Sequence, residues 1–315
     1  MILVTGATGH VGGELVRQLA EAGESVRAMT RRPAQTRFST GVEGRVETVY
    51  GDANDPASLD QAFAGVRGAF LMSSQAVGSA PGPTHDTALA KAAARAGVER
   101  LVKLSVLNGG GGGAGENVGE DGDSGDGRDA GGGADVIARW HAEAERAVTS
   151  PANGWAWTLL RPGRFMSNAL QWASAVRAAD EVPIPFADRP AASIDPADIA
   201  AVACAALTSR GDEHAGAAYE LSGPQALTPT EELSILADIL SRPLRVREVP
   251  EEATRTGMTR YGFPPEVVEA IMNRTLHDDR GTEVLRTVQK LLGRPARTFA
   301  QWANVHAGAF SPSGV

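Results

Sequence analysis

Residues 1–20 read MILVTGATGHVGGELVRQLA. Ile2 to Thr5 form a short apolar run. Gly6-Ala7-Thr8-Gly9-His10-Val11-Gly12 follows, and then Leu15, Val16 and Leu19 fall at helical spacing. This order predicts a strand, a tight turn and a helix. Glycine at 6 permits a sharp exit from the strand, Gly9 lets backbone approach a pyrophosphate, and Gly12 lets the helix sit close to the sheet. The helix start offers free N–H groups and the positive end of its dipole to phosphates. No Gly-Lys-Ser/Thr ending follows, so the nucleoside-triphosphate loop is not the match. The reading is a dinucleotide site.

The second expected strand, Ser25 to Met29, leads into Thr30-Arg31-Arg32-Pro33. A site for NAD usually places a carboxylate there, to accept from the ribose hydroxyls. Two arginines instead suit a 2′-phosphate, which argues for NADPH over NADH. A third strand, Val46 to Tyr50, ends in Gly51-Asp52-Ala53, where Asp52 falls at the adenine edge. Asp55 caps a helix beginning at Pro56. Ala69 to Met72 is a fourth strand, followed by Ser73, and Pro83 to Ala96 is a helix closed by Gly97. Arg100 to Ser105 is a fifth strand. Asp135 to Val148 is a helix carrying His141, and Gly154 to Leu160 is a sixth strand, followed by a turn at Arg161-Pro162-Gly163-Arg164. The alternation predicts an α/β fold with a Rossmann-type doubly wound parallel sheet. Ligands collect beyond the C-terminal strand ends of such sheets, which places Ser73, Ser105 and Asn108 near one crevice.

The stretch Gly109 to Gly133 is dominated by glycine and acidic residues, with Val118 as its one large aliphatic residue. It reads as a disordered insertion (109–134), a spacer or a lid beside the crevice. Beyond Phe165 the elements shorten. Glu181 to Ala187 is too proline-rich for a central strand. Asp195 caps a helix through Leu207, Ala217 to Leu221 is a strand, Thr228 and Glu231 form a capping box, and Leu244 to Val249 is another strand. The division is therefore 1–160 for the nucleotide domain and 161–315 for a small α/β substrate lobe that partly shares its core.

The chain has 315 residues, 42% hydrophobic and 22% charged, with a formal net charge of −8. That balance disfavours nucleic acid and anionic membrane surfaces as partners. Cys204 is the single cysteine, so neither an intrachain disulfide nor a thiolate zinc site is available. No metal site is expected. No apolar run reaches spanning length and the N-terminus lacks a basic leader, so a cytoplasmic location is expected. The expected partner is a small-molecule substrate, with a homodimer left open.

Taken together, TGATGHVG (5–12), TRRP (30–33), GDANDPASL (51–59), AGVERLVKLS (96–105), HAEAE (141–145), LLRPGRFMSN (159–168), IDPADIA (194–200) and GRPARTFAQWANVHAGAF (293–310) resemble the NmrA-like group of atypical short-chain dehydrogenase/reductase proteins. The resemblance spans nearly the whole chain outside the 109–133 insertion. It implies that Gly6, Thr8, Gly9, His10, Val11 and Gly12 hold the pyrophosphate and that Arg31 and Arg32 bind the 2′-phosphate. It further implies that Asp52 and Ala53 contact adenine, that Met72 and Ser73 pass the middle of the dinucleotide, and that Pro162, Gly163 and Arg164 lie on the nicotinamide side. Ordinary superfamily members carry a tyrosine acid with a lysine four residues later. The matching helix here has Ile137 and His141, and Tyr50, Tyr219 and Tyr261 all lie elsewhere.

With that pair missing, Ser105 and His141 are the candidate catalytic residues, as hydrogen-bond donors to a developing oxyanion. Lys103 is held in reserve. The leading expectation is an NADPH-dependent reductase of a conjugated carbonyl or quinone, which needs little acid assistance. The alternative is a non-catalytic NADP(H)-binding redox sensor.

Overall fold

The first strand, β1 (Ile2–Val4), lies in the middle of a parallel sheet between β2 (Val26–Thr30) and β4 (Gly68–Met72). The computed structural model describes residues 1–38, 41, 44–73, 82–107 and 135–311. Among them the sheet continues from β2 to β3 (Val46–Tyr50). On the other side it runs from β4 to β5 (Arg100–Leu104), β6 (Ala156–Pro162) and β8 (Ala217–Leu221), with every pairing parallel. The chain leaves β1 for β2 on one side and returns for β4 on the other. The topological switch point therefore sits at the C-terminal end of β1, above the glycine turn.

Helices cover both faces. On one lie α1 (His10–Glu21) and α6 (Pro196–Thr208), in contact with each other; on the other lie α2 (Pro56–Phe63), α3 (Thr84–Arg95) and α4 (Val136–Thr149). The strands alternate between the two cores: Ile2, Val4, Phe70 and Val102 pack toward α1 and α6, whereas Leu3, Ala69, Leu71 and Leu101 pack toward α2 and α3. Burial on both faces explains why these strands read as unbroken apolar runs. Each such Val, Leu, Ile or Phe contributes about 1.5–3 kcal/mol through burial.

The lobe is built on a two-stranded parallel ribbon of β7 (Glu181–Pro185) and β9 (Arg245–Val249), consistent with a proline-rich strand kept out of the main sheet. Its core joins α5 (Ala173–Ala178), α7 (Pro229–Leu240) and α11 (Phe299–Phe310) around fully buried Trp302. Next to it come α8 (Glu251–Tyr261), α9 (Pro265–His277) and α10 (Thr287–Leu292).

Ion pairs tie the C-terminal segment back to the start of α6: Arg297 Nε lies 2.7 Å from Asp195 Oδ2 and Arg294 Nη2 2.8 Å from Asp198 Oδ1. The Thr228–Glu231 capping box and the Asp55 and Asp195 caps form as the sequence implies. One boundary differs from the expected one. The sixth strand runs on through Arg161 and Pro162, so the boundary drawn at 160 falls inside it. β8 and α6, from the 161–315 segment expected to share the core in part, are layers of the main sheet. Asn108 and the expected 109–134 insertion lie outside the described residues. No helix among the described residues is long and apolar enough to cross a membrane.

Candidate active site

The crevice begins at the glycine turn. Gly6 has φ +61°, and a Cβ on it would meet the Met72 sulfur at 2.6 Å. A Cβ on Gly12 would lie 2.2 Å from the Gly6 carbonyl oxygen, a backbone atom that has no room to yield. Both positions require glycine, and the helix is thereby pressed against the turn. α1 starts at His10 with Gly9 as its N-cap, no side chain capping it and no acid in its first turn, so its leading N–H groups stay open to an anion. Thr8 and His10 are exposed beside them. Val11 is buried in the core and offers only its backbone.

At the end of β2, Arg31 and Arg32 are exposed, and among the described residues no carboxylate pairs with either guanidinium. Asp52 accepts from the Asn54 N–H at 2.9 Å in a local turn beside Ala53, which leaves its second carboxylate oxygen open. The open helix start, the glycine cradle and the two free arginines together fit a dinucleotide with a 2′-phosphate. A Gly12→Ala variant is expected to weaken NADPH binding about a hundredfold or more by fluorescence titration, because the helix must retreat from the turn.

Deeper in the crevice, between the ends of β4 and β5, lies a group that the sequence reading did not assemble. Lys103 and Asp86 are an ion pair of 3.0 Å with both side chains 0% exposed. Lys103 Nζ also donates to Ser73 Oγ at 2.5 Å, and Ser73 donates to Asp86 Oδ1 at 3.2 Å. Burial pushes the Lys103 ammonium down from its ordinary pKa, and Asp86 opposes the shift. Three polar atoms beside this pair are buried without a partner among the described residues: Asp86 Oδ2, His85 Nδ1 and His141 Nδ1. Such atoms are costly unless something satisfies them, and they mark the crevice floor as polar.

Of the two residues put forward for the oxyanion, Ser105 is engaged by a buried carboxylate and His141 is held neutral. Ser105 is 6% exposed and donates to Glu145 Oε1 at 2.6 Å; Glu145 in turn receives Arg161 through Nε at 3.0 Å and Nη2 at 2.7 Å. The hydroxyl proton is committed to a buried carboxylate. His141 is 7% exposed, edge-on to Trp140, and burial together with the Lys103 charge lowers its pKa to about 3. Its imidazole is therefore held neutral near pH 7, with Nδ1 without a partner among the described residues.

Beyond the ends of β5 and β6 the crevice opens into a cavity of about 500 Å³. Val106, Leu107, Gly163 and Arg164 form its inner side, and the outer wall comes from the lobe through Trp172, Ile184, Phe186, Met258 and Ile271. Arg164 is held bidentately by Glu232, at 3.2 and 2.7 Å, and Glu232 also accepts from Ser193. Pro162 is buried; its carbonyl accepts from the Leu107 N–H at 2.9 Å while Gly163 donates to Leu221 at 3.1 Å, which fixes the turn that faces the cavity. Trp172 lines the cavity, whereas Phe165 packs against the sheet core.

A family model described as NAD(P)H-binding matches residues 6–210. The chain is similar to the (4-alkanoyl-5-oxo-2,5-dihydrofuran-3-yl)methyl phosphate reductase of Streptomyces griseus, with 43% identity over 99% of this chain and 100% of the relative. It is also similar to the NAD(P)H azoreductase of Xenophilus azovorans, with 35% identity over 98% and 99%. Among solved structures, the NADPH-dependent quinone oxidoreductase of Escherichia coli in complex with NADPH superposes with a TM-score of 0.72 at 25% identity, covering 97% of this chain and 99% of that one.

Proposed function

The chain belongs to the NAD(P)H-binding family, and from that premise we propose that it is an NADPH-dependent reductase whose acceptor is a small conjugated carbonyl compound or quinone held in the cavity between sheet and lobe. Relatives at 43% and 35% identity over essentially full length are reductases of an unsaturated lactone carrying a methyl phosphate and of azo compounds, which supports an NAD(P)H-dependent oxidoreductase acting on small organic molecules. The observation that carries the finer reading is the cavity wall. Tyrosine, histidine and lysine are absent from its described lining, and its one acidic side chain is Asp278.

With no tyrosine, histidine or lysine among the described lining residues, the fitting acceptor is one whose reduced anion is stabilised by its own conjugation and takes its proton from water. Bound NADPH supplies the hydride. The protein's part is to bind and orient: the Gly6–Gly12 turn and α1 hold the pyrophosphate, Arg31 and Arg32 hold the 2′-phosphate, Asp52 and Ala53 border the adenine, and Met72 and Ser73 border the middle of the dinucleotide. The turn at Pro162–Arg164 presents the acceptor side, and Trp172, Phe186 and Met258 exclude water from it. The buried Lys103–Asp86 pair sets the polarity of the floor and contributes no proton.

NADPH oxidation is followed spectroscopically with unsaturated lactones, enones, quinones and azo compounds. Turnover is expected with at least one conjugated class. Tight NADPH binding with no oxidation by any of them would favour the redox-sensor reading. The double variant Arg31→Ala/Arg32→Ala is expected to raise the NADPH KM about tenfold to a hundredfold while leaving the NADH KM within about twofold. An equal rise for both cofactors would dissociate these arginines from the 2′-phosphate.

A further inference from the structure

The turn that follows β6 brings one charged side chain to the inner side of the cavity. Arg164 lines it beside Gly163 and keeps 22% of its side chain exposed. The groups that hold it lie behind it, with Glu232 on α7 1% exposed and Ser193 3%. Arg164 gives Nη1 to Glu232 Oε1 at 3.2 Å and Nη2 to Oε2 at 2.7 Å, and the Ser193 hydroxyl donates to Oε1 at 3.0 Å. Burial pushes the Glu232 carboxyl up from its ordinary pKa, and Arg164 and Ser193 oppose the shift. This end-on pairing uses one hydrogen on each terminal nitrogen of the guanidinium. The Nε–H and the outer hydrogen of each terminal nitrogen are left without an acceptor among the described residues.

The backbone beneath the guanidinium is fixed as firmly. Gly163 donates to the Leu221 carbonyl at 3.1 Å, and the Arg164 carbonyl accepts from the Ile194 N–H at 2.8 Å. Phe165 pairs with Ile194 as a parallel bridge. Ser193, one residue earlier, lies so close to Gly223 that a Cβ on that glycine would collide with the Ser193 carbonyl. Donors aimed by a rigid frame need no reorganisation when charge appears in front of them. The carboxylate behind also offsets the charge of the arginine at this wall. A neutral acceptor therefore gains little from it, whereas an oxygen that turns negative gains a directed, charged N–H.

We infer that Arg164 is a catalytic residue, which donates to the acceptor oxygen as that oxygen becomes negative. The inference rests on the reductase reading of the cavity. When an enone takes the hydride of NADPH, the new C–H bond forms at its β-carbon. The alkene pair becomes a double bond to the carbonyl carbon, and the carbonyl pair moves onto oxygen. Arg164 holds that enolate oxygen through its remaining N–H groups and gives up no proton. Water protonates the α-carbon, and NADP⁺ remains. The oxyanion donor is thereby supplied by the turn after β6, where Ser105 is committed to Glu145 and His141 is absent from the described cavity lining.

The oxyanion is read first without turnover. 4-Nitrophenol is titrated into protein saturated with NADP⁺, and its ionisation is followed by absorbance across a pH series. The bound molecule is expected to ionise at least about one pH unit below free 4-nitrophenol, a tenfold shift toward the phenolate. Arg164→Gln alone strands the buried Glu232 charge and so costs stability. The double variant Arg164→Gln/Glu232→Gln removes both charges, and its urea midpoint is expected to return close to that of wild type. The nitrophenol shift and the enone rate are expected not to return: kcat stays down about a hundredfold, with the NADPH dissociation constant within about twofold of wild type. Absence of saturable nitrophenol binding, or the same ionisation in wild type and double variant, overturns the assignment. A double variant that regains both stability and rate overturns it too, since the pair is then structural. Loss of NADPH affinity in step with rate does the same, by making Arg164 a cofactor contact. Failure of the reductase reading shows separately, as wild-type protein that shifts nitrophenol yet oxidises no NADPH with any acceptor.

Discussion

Replacing Lys103 by methionine is expected to lower the unfolding free energy by about 3–5 kcal/mol in urea denaturation, because it strands Asp86 as an uncompensated charge in the interior. Both side chains of the pair are 0% exposed, so water cannot screen the loss. Asp86 Oδ2 already lacks a partner among the described residues, and Lys103 supplies the one full charge facing Oδ1. The reverse change, Asp86→Leu, leaves an ammonium that burial already pushes toward its neutral form, so its cost should be smaller than that of Lys103→Met. The double variant Lys103→Met/Asp86→Leu removes both charges and should recover most of the loss, to within about 1–2 kcal/mol of wild type. Strictly additive losses, or a Lys103→Met cost below about 1 kcal/mol, would show that the two groups do not depend on each other. Measuring without cofactor keeps ligand linkage out of the comparison.

The same pair shows where reading from sequence stops. The glycine turn was legible because its constraint is local: Gly12 must be glycine on account of Gly6, six residues away, and the pattern records it. The central strands were legible because burial on both faces writes an unbroken apolar run. Lys103 and Asp86 sit on different elements, and nothing in either neighbourhood says that a lysine in a strand is paired rather than catalytic. The sequence pattern places Ser105 at the end of β5 and His141 on α4, whereas their partners follow from burial. Glu145, one helical turn beyond His141, accepts the hydrogen bond of the Ser105 hydroxyl and is itself locked by Arg161 at the end of β6. The spacing of His141, Glu145 and Arg161 held that signal without the contact order to read it. β6 was cut short at Leu160 because proline ends most inner strands; here Pro162 stays paired through its carbonyl and through the N–H of Gly163. The outer wall of the cavity was the least legible part, since Phe186, Arg189, Met258 and Arg274 come from separate segments of the lobe.

His141 should make the protein acid-sensitive in a way that a single substitution removes. Its folded pKa is about 3, against 6.5 for an exposed imidazole, because burial and the nearby Lys103 disfavour the cation. Arg274 acts in the same direction, while Asp86 and Asp135 oppose it. Between those two pKa values the unfolded chain binds a proton that the folded chain refuses. Stability therefore rises with pH across this window: it is fully present above about pH 6.5 and lost as pH falls toward about 3. The loss from this one group amounts to roughly 2 kcal/mol by about pH 5 and roughly 4–5 kcal/mol at the acid end. His85, also lowered by burial, adds in the same direction. Urea unfolding of wild type and of His141→Gln, followed from about pH 8 to about pH 4.5, isolates the term, since the remaining titrating groups are common to both proteins. The wild-type curve should fall more steeply on the acid side, and the two should run parallel above about pH 7. The rate carries the same signature in negative: a neutral imidazole gives kcat no inflection near about pH 6.5. Parallel stability curves throughout, or a rate inflection there that vanishes in His141→Gln, would mean that the imidazole titrates in the folded protein and would return it to the chemical step.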